Sequence, residues 1–578
     1  MTDVLRKYRE ATHTLPQTIL TWPLYGAGME SFGRDGKPVE APMPKYGPDE
    51  LLARVDAVSI CFSDIKVINQ GNKHPRITDR DLVNDPVTLG HEAAITIVGI
   101  GESHKDRFKV GERYIVQADV FVGGKSMAFG YVLPGGQTQY QVIGREILNG
   151  DEGCYLLPMQ EATGYAEAAL AEPWACVMAS YRIGRRPSIK SGGALWIIGA
   201  CDEDDCSLDM QAAPRLVVAT DVDWPVLDQL KFWSEAGRFE LIESPAFESI
   251  DFEAFAAEHS AFDDIIILGA HADRIERSAQ LLGKHGIISI IASKPLAGPV
   301  KIDIGKVHYQ NHSYLGTTSR HIAEAYEPIR VPSELCPGGI AWFIGAGGPM
   351  GQMHVQRAVE LEGGPSKVLA TDVDTARLQS VKDRFTPIAE RRGVELIAVN
   401  PNEMSADEFA KLLNDFTGGE GFDDIVLTAL VPALIEQAAP YLAEEGLMNL
   451  FAGLPIGTIV SLDLTPVYAK GVRFVGSSGS KLSDMLDTLH AAESGKLSTN
   501  TSVAAIGGIE ASWDGMLAAK EGRFPGKVVI YPQVRGLELT AVQDLKNRLP
   551  NVYAKLTDGM FWNREAEAEL LRSMAATK

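Results

Sequence analysis

The chain has no excess of basic residues. Its 54 lysines and arginines stand against 76 aspartates and glutamates, a formal charge of −22 over 578 residues. Such a surface repels phosphate backbones and anionic headgroups, which argues against nucleic acid and membranes as partners. Long apolar runs are also missing. Stretches such as Ile265–Gly269 have the length of a strand and fall far short of the ~20 residues a spanning helix needs. The opening MTDVLRKYREATHTLPQ has no apolar segment of the signal-peptide kind. Cysteine is scarce: Cys61, Cys154, Cys176, Cys201, Cys206 and Cys336 are the six, and no four of them share structural-zinc spacing. They read as reduced thiols of a cytoplasmic protein. Low-complexity linkers are absent. What remains is ordinary for a globular chain, 45% hydrophobic and 22% charged. At roughly 100–200 residues each, the length allows about three to five domains or subdomains.

The chain contains an internal repeat. GALWIIGACDEDDCSLDMQAAPRLVVATDVD, starting at Gly193, matches GIAWFIGAGGPMGQMHVQRAVELEGGPSKVLATDVD, starting at Gly339. Downstream, AFDDIIILGA matches GFDDIVLTAL, HGIISIIAS matches EGLMNLFAG, and YLGTTS matches FVGSSG, in the same order. The offset grows from 146 residues between Trp196 and Trp342, to 151 between Asp221 and Asp372, to 160 between Asp264 and Asp424. The second copy is therefore the longer one. Each copy alternates short β-branched runs with helical patterns, the mark of βαβ units on a parallel sheet. The region before the first copy, with ELLARVDAVSI and GERYIVQADV, reads as mainly β. After the second copy, helical stretches lead to the short strand in FPGKVVIYPQ and then to an amphipathic tail.

The second copy carries a dinucleotide motif. IGAGGPMG (Ile344–Gly351) follows the apolar run AWFI and opens a helical stretch. Gly345, Gly347, Gly348, Pro349, Met350 and Gly351 form the turn. Its glycines permit tight curvature and let backbone N–H groups approach a pyrophosphate. Asp372 closes the next strand 21 residues after Gly351. An acid there accepts hydrogen bonds from ribose hydroxyls and repels a 2′-phosphate, which favours NAD over NADP. The first copy lacks the later glycines. Asp202, Glu203, Asp204 and Asp205 stand where a diphosphate would lie, so this copy reads as degenerate.

Three pieces of the β-rich region carry metal-binding residue types: SICFSDIK with Cys61, Ser63, Asp64 and Lys66; LGHEA with His91 and Glu92; and LAEPWACV with Glu172 and Cys176. One thiolate, one imidazole and one or two carboxylates meet the needs of a catalytic zinc with an open position.

Taken together, Cys-x-Ser-Asp, Gly-His-Glu, Glu-Pro-x-x-Cys and a nucleotide-binding unit resemble the zinc-dependent medium-chain alcohol and polyol dehydrogenases. CFSDIKVINQG, GERYIVQAD, AEPWACV, GFDDI and the Gly-Pro-Met-Gly turn are similar to the L-sorbose-1-phosphate reductase branch. The resemblance covers about residues 45–190 and 335–533. It implies an α/β chain with a GroES-like mainly-β catalytic domain (1–188), a degenerate Rossmann-like domain (189–328), an NAD-binding Rossmann domain (329–480) and a C-terminal return to the catalytic domain with a tail (481–578). It implies one catalytic zinc per chain on Cys61 and His91, with Glu172 as third ligand, direct or through water. Glu92 is a further ligand or supports His91, and Cys176 packs nearby. Ser63 matches the hydroxyl that relays the substrate proton.

Two departures stand out. Many family members place a proton-relaying histidine where this chain has Lys66. That lysine either relays or, with Lys73, His74 and Arg76 downstream, meets an anionic end of the substrate. The lobe from Gln117 to Gly136 has no cysteine, so the family's four-cysteine structural zinc is not expected. The implied activity is hydride transfer between the cofactor and a secondary alcohol or ketone of a polyol, sugar or sugar phosphate. A dehydrogenase of another alcohol and a non-catalytic nucleotide sensor stay open as alternatives. Family coenzyme domains pair edge to edge between subunits. A tandem copy that keeps its edge segment could supply that partner within one chain, as a monomer with an internal pseudo-dimer, with homo-oligomers through other surfaces the alternative.

Overall fold

A computed structural model describes residues 3–77, 80–182, 184–200, 206–208, 212–327 and 333–575. Contacts divide the chain into two compact units. One is Met1–Ala179, Gly348–Met353 and Gly479–Lys578; the other is Ser180–Gly347 and His354–Ser478.

The first unit is built on an eight-stranded sheet. At its centre, Leu51–Ser59 is buried along its whole length. Antiparallel Glu92–Ile100 flanks it, and Ser59 sits opposite Glu92. On the other side lies Lys527–Tyr531, with Val529 opposite Ser59. Chain ends some 470 residues apart in sequence thus become neighbours at Ser59. The tail closes on this unit too. Glu567, in the helix Arg564–Ala575, accepts from the backbone N–H groups of Tyr165 and Ala166 at 2.6 and 2.7 Å and from the Tyr531 hydroxyl at 3.0 Å.

The second unit holds two six-stranded parallel sheets of identical order. In the first the order is Glu240–Glu243, Leu216–Thr220, Ala194–Gly199, Phe262–Leu268, Leu282–Ile291 and Ser313–Thr317. In the second it is Glu395–Val399, Lys367–Thr371, Ile340–Ile344, Phe422–Leu427, Leu442–Leu450 and Arg473–Val475. Both are Rossmann-like sheets, flanked by helices and fed by runs of buried apolar residues. The matched sequence pieces make matched bonds. Trp196 Nε1 donates to Thr220 Oγ1 at 2.8 Å, and Trp342 Nε1 to Thr371 Oγ1 at 2.9 Å. Asp263 accepts from the Ala194 N–H, and Asp423 from the Ile340 N–H.

The two copies share one hydrophobic core. Val300–Asp303 pairs antiparallel with Ile459–Leu462, and Ile304 N–H donates to the Thr458 carbonyl at 2.9 Å. The edge strands Ser313–Thr317 and Arg473–Val475 lie against each other. Gly316 makes this approach feasible, because a Cβ there would come within 2.5 Å of the Tyr468 Cβ.

One expectation is corrected. Cys206 is disulfide-bonded, so not all six cysteines are reduced thiols. Cys61, Cys154, Cys176 and Cys336 are free. The acidic turn 202–205, read above as closing the first copy to a diphosphate, lies outside the described residues.

Candidate metal centre and cofactor turn

The strand Leu51–Ser59 stops just before Cys61, which caps the helix Phe62–Gln70. Asp64, at the third position of that helix, completes a capping box: its Oδ2 accepts the Cys61 N–H at 3.0 Å. Its Oδ1 accepts the Gly90 N–H at 3.3 Å and lies 3.4 Å from His91 Nδ1, within ion-pair range but outside hydrogen-bond geometry. One buried carboxylate therefore ties the Cys61 turn to the His91 turn. Ser63 Oγ lies 3.3 Å from His91 Nε2.

Cys61, His91 and Glu92 each offer a ligand atom, and these atoms all lie within 4.8 Å of one another. Ligand atoms on one tetrahedral zinc would be about 3.5 Å apart, so small side-chain motions close the trio. It is the one such group among the described residues. Glu92 Oε2 is buried without a hydrogen-bond partner, while Oε1 accepts from Lys527 Nζ at 2.6 Å. The ammonium is itself raised above its ordinary pKa: burial opposes the charge, and Glu92 outweighs it. A sulfur, an imidazole and a carboxylate with an idle buried oxygen suit a zinc-type ion.

Glu172, on the helix Ala171–Tyr181, lies outside that trio, yet near enough to share its field. Burial pushes its carboxyl up to about 7; His91 opposes the rise and Glu92 and Asp119 add to it. Burial also raises the Cys176 thiol, which keeps that sulfur protonated beside the centre. His91 is held above its usual pKa. Burial alone would lower it, but Tyr131 and Asp64 reverse the sign.

Lys66 is half-buried one turn along the helix from Ser63. It lies close enough to His74 to lower that residue's pKa, after burial and Arg76. Arg76 stands 4.8 Å over the Tyr131 ring and pairs with Asp119 at 3.0 Å, and the Tyr131 and His91 rings lie 5.2 Å apart. In the cysteine-free lobe, the two carboxylate oxygens of Asp151 accept the N–H groups of Gly123 and Gly124, both at 2.7 Å, and hold its hairpin.

The roles of Asp64, Lys527, Tyr131 and Asp119 were not read from the sequence. Asp64 had a local signal, since an acid three residues after a helix-opening residue marks a capping box. Lys527 had a weaker one, a lone charge opening the apolar run VVIY. Tyr131 and Asp119 had none, because only the lobe's folding brings them to the centre.

In the second copy the turn after Ile340–Ile344 is left-handed at Gly345, with φ of 82°, and the helix Pro349–Glu360 follows. Gly347 N–H donates to Asp372 Oδ2 at 2.8 Å, and Asp374 N–H to Asp372 Oδ1 at 3.0 Å. A Cβ on Gly347 would meet the Arg377 Cβ at 2.6 Å, so only glycine leaves this cradle open. Gly348 accepts from the Gln352 N–H at the helix start. Pro349, Met350 and Gly351 form the helix's first turn. These features fit a dinucleotide pyrophosphate and its ribose. In the first copy, Asp221 instead pairs with Arg274 at 2.9 Å. A Cβ on Gly199 would come within 3.2 Å of that guanidinium. An arginine of the chain's own thus occupies the acid equivalent to Asp372.

The alcohol dehydrogenase GroES-like domain model matches residues 47–177. The uncharacterised protein YggP of Escherichia coli is 25% identical over 542 residues, 92% of each chain. Mannitol-1-phosphate 5-dehydrogenase of Aliivibrio fischeri is 24% identical over 92% of this chain and 93% of its own. L-sorbose 1-phosphate reductase of Klebsiella pneumoniae is 28% identical over 52% of this chain and 76% of its own.

Proposed function

Because the chain belongs to the medium-chain alcohol and polyol dehydrogenase family, we propose that it transfers a hydride between NAD and a secondary alcohol or ketone of a polyol, sugar or sugar phosphate, with one zinc ion per chain. The observation that carries this reading is that half-buried Cys61 and buried His91 and Glu92 bring their ligand atoms within 4.8 Å of one another. A zinc ion there would act as a Lewis acid on the substrate oxygen. Cys61 and His91 would hold it, with Glu92 or Glu172 as the carboxylate ligand. Lys527 neutralises Glu92 when that acid is turned away from the metal. Asp64 orients His91 and the Cys61 turn together. Ser63 would pass the substrate's hydroxyl proton outward, with Lys66 next along the same helix face. NAD would rest on the Gly345–Gly351 turn, its ribose on Asp372.

The substrate class has its own support. Two relatives are named for phosphorylated sugars or polyols. Lys66, His74 and Arg76 stand beside the centre, and Arg76 and His91 both lie against the Tyr131 ring. A phosphate end-group would meet the cations Lys66 and Arg76, with His74 beside them as a neutral imidazole. The chain also carries its own edge partner, since the first copy covers in cis the face that other coenzyme domains present to a second subunit. Its working state is accordingly a monomer with an internal pseudo-dimer.

Cys61→Ala tests the central claim. Metal content should fall from about one equivalent to none, and nicotinamide absorbance change with hexitols or their phosphates should cease, while circular dichroism is unchanged. Retained zinc or retained turnover would reject the site.

A further inference from the structure

Beside the metal centre stands an ion pair whose two halves treat an anionic substrate in opposite ways. Arg76 Nη1 lies 3.0 Å from Asp119 Oδ1, and the two side chains are 37% and 25% exposed. The Arg76 guanidinium stands 4.8 Å over the Tyr131 ring, and that ring lies 5.2 Å from the His91 imidazole. One aromatic ring thus neighbours both a candidate metal ligand and a guanidinium. Arg76 also lies within the field of Glu172. Asp119 is seated closely. Its N–H donates to Gln117 Oε1 at 3.4 Å, and its Oδ2 lies against Gly479, where a Cβ would come within 2.5 Å.

Such a pair is poorly suited to holding the fold. Partly exposed ion pairs add little stability, because water screens them and two side chains lose their freedom. It is well suited to exchange. A guanidinium carries five N–H donors in a planar fork, and one carboxylate oxygen engages one end of it. A phosphate brings a larger charge and takes two parallel N–H bonds. His74 adds a neutral donor. Its Nδ1 accepts the Arg76 N–H at 3.3 Å, which leaves the proton on Nε2, and burial, Arg76 and Lys66 keep the ring uncharged. A neutral alcohol gains nothing by displacing Asp119. A dianion beside Asp119 is repelled unless it takes over Arg76.

We propose that Asp119 is a built-in stand-in for the substrate's phosphate: it holds Arg76 when no phosphate is bound, and yields that guanidinium to the phosphate end of a phosphorylated polyol or sugar. Arg76 and Asp119 together then separate phosphorylated from unphosphorylated substrates. This role rests on the metal centre and reaction proposed above, and adds the group that the phosphate must displace.

Steady-state kinetics with mannitol and mannitol 1-phosphate, and equilibrium dialysis of radiolabelled inorganic phosphate against the full chain, test the exchange. Arg76→Met should raise the KM for mannitol 1-phosphate by about tenfold or more relative to that for mannitol, and Arg76→Lys should restore part of the loss. Asp119→Asn should act the other way, lowering the same ratio by about two- to fivefold and tightening phosphate in dialysis, because the competitor is gone. In the Arg76→Met background Asp119→Asn should change neither readout, an outcome that a merely structural pair would not give. Should Arg76→Met fail to fold, Asp119→Asn decides: tighter phosphate supports the exchange and weaker phosphate overturns it. Dialysis against Cys61→Ala needs neither zinc nor turnover. Phosphate held there in an Arg76-dependent way, with no turnover of any hexitol or hexitol phosphate by the parent chain, would reject the proposed reaction and keep the exchange. Turnover by the parent with the same KM ratio in Arg76→Met and Asp119→Asn would overturn the exchange alone.

Discussion

At the residue scale, single carboxylates decide the chemistry by what they are bonded to. Asp372 spends one oxygen on the Gly347 N–H and the other on the Asp374 N–H, which holds its charge at the cofactor turn. Asp372→Ala should therefore loosen both nicotinamide cofactors and NAD more than NADP, by about 5–30-fold for NAD, because the ribose acceptor and the 2′-phosphate repulsion vanish together. Titration of both cofactors by fluorescence checks this; an unchanged NAD:NADP ratio would remove the role. His312 is the opposite case, a buried base with no partner on Nε2. Burial first, then Lys306, pushes its pKa from 6.5 down to about 4. The unfolded chain takes up a proton below pH 6.5 that the folded chain refuses. The stability His312 contributes is thus full above that pH and falls by about 3 kcal/mol on the way to pH 4. His312→Gln should flatten this part of the stability-versus-pH curve, measured by urea unfolding between pH 7 and 4.5.

At the scale of elements, the C-terminal helix works as a cap. Glu567 satisfies two N–H groups at the start of Tyr165–Ala169, where helical donors lack partners. Arg564 grips Glu167 on the same helix through two bonds of 2.5 and 2.8 Å. That helix runs on through Leu170 into Ala171–Tyr181, which carries Glu172. Removing the cap strands buried donors. Glu567→Leu should cost about 2–4 kcal/mol and Glu567→Gln less, read as urea midpoints of the full chain. A neutral Glu567→Leu would mean that the tail merely lies on the surface. The strand end at Ser59 works in the same long-range way, since it makes a sequence-distant lysine the counter-ion of Glu92.

At the scale of the molecule, the two coenzyme-type sheets are one body. The Val300–Asp303 and Ile459–Leu462 ladder gives each copy's exposed backbone a partner, and sheet edges without one invite association. The chain should sediment as a single 62.6 kDa species. Cysteines at the paired positions Lys301 and Ser461 should join within one chain on oxidation, without doubling its mass in denaturing gels. A covalent dimer would show that the ladder forms between chains.

The repeat, its parallel-sheet character, the glycine turn with Asp372, and the Cys, His and Glu pieces were all legible along the chain. Each piece is a local pattern within a few dozen residues, where periodicity and turn chemistry act, and the repeat is the recurrence of such patterns about 150 residues on. The tertiary structure alone decided that Cys61, His91 and Glu92 share one point while Glu172 stands outside their trio. It also decided that Lys527 and Asp64 complete the centre, and that Arg274 takes the coenzyme acid of the first copy. The physical reason is that ligand distances and counter-ions depend on strand register and helix docking, and these follow from packing over hundreds of residues rather than from any local pattern.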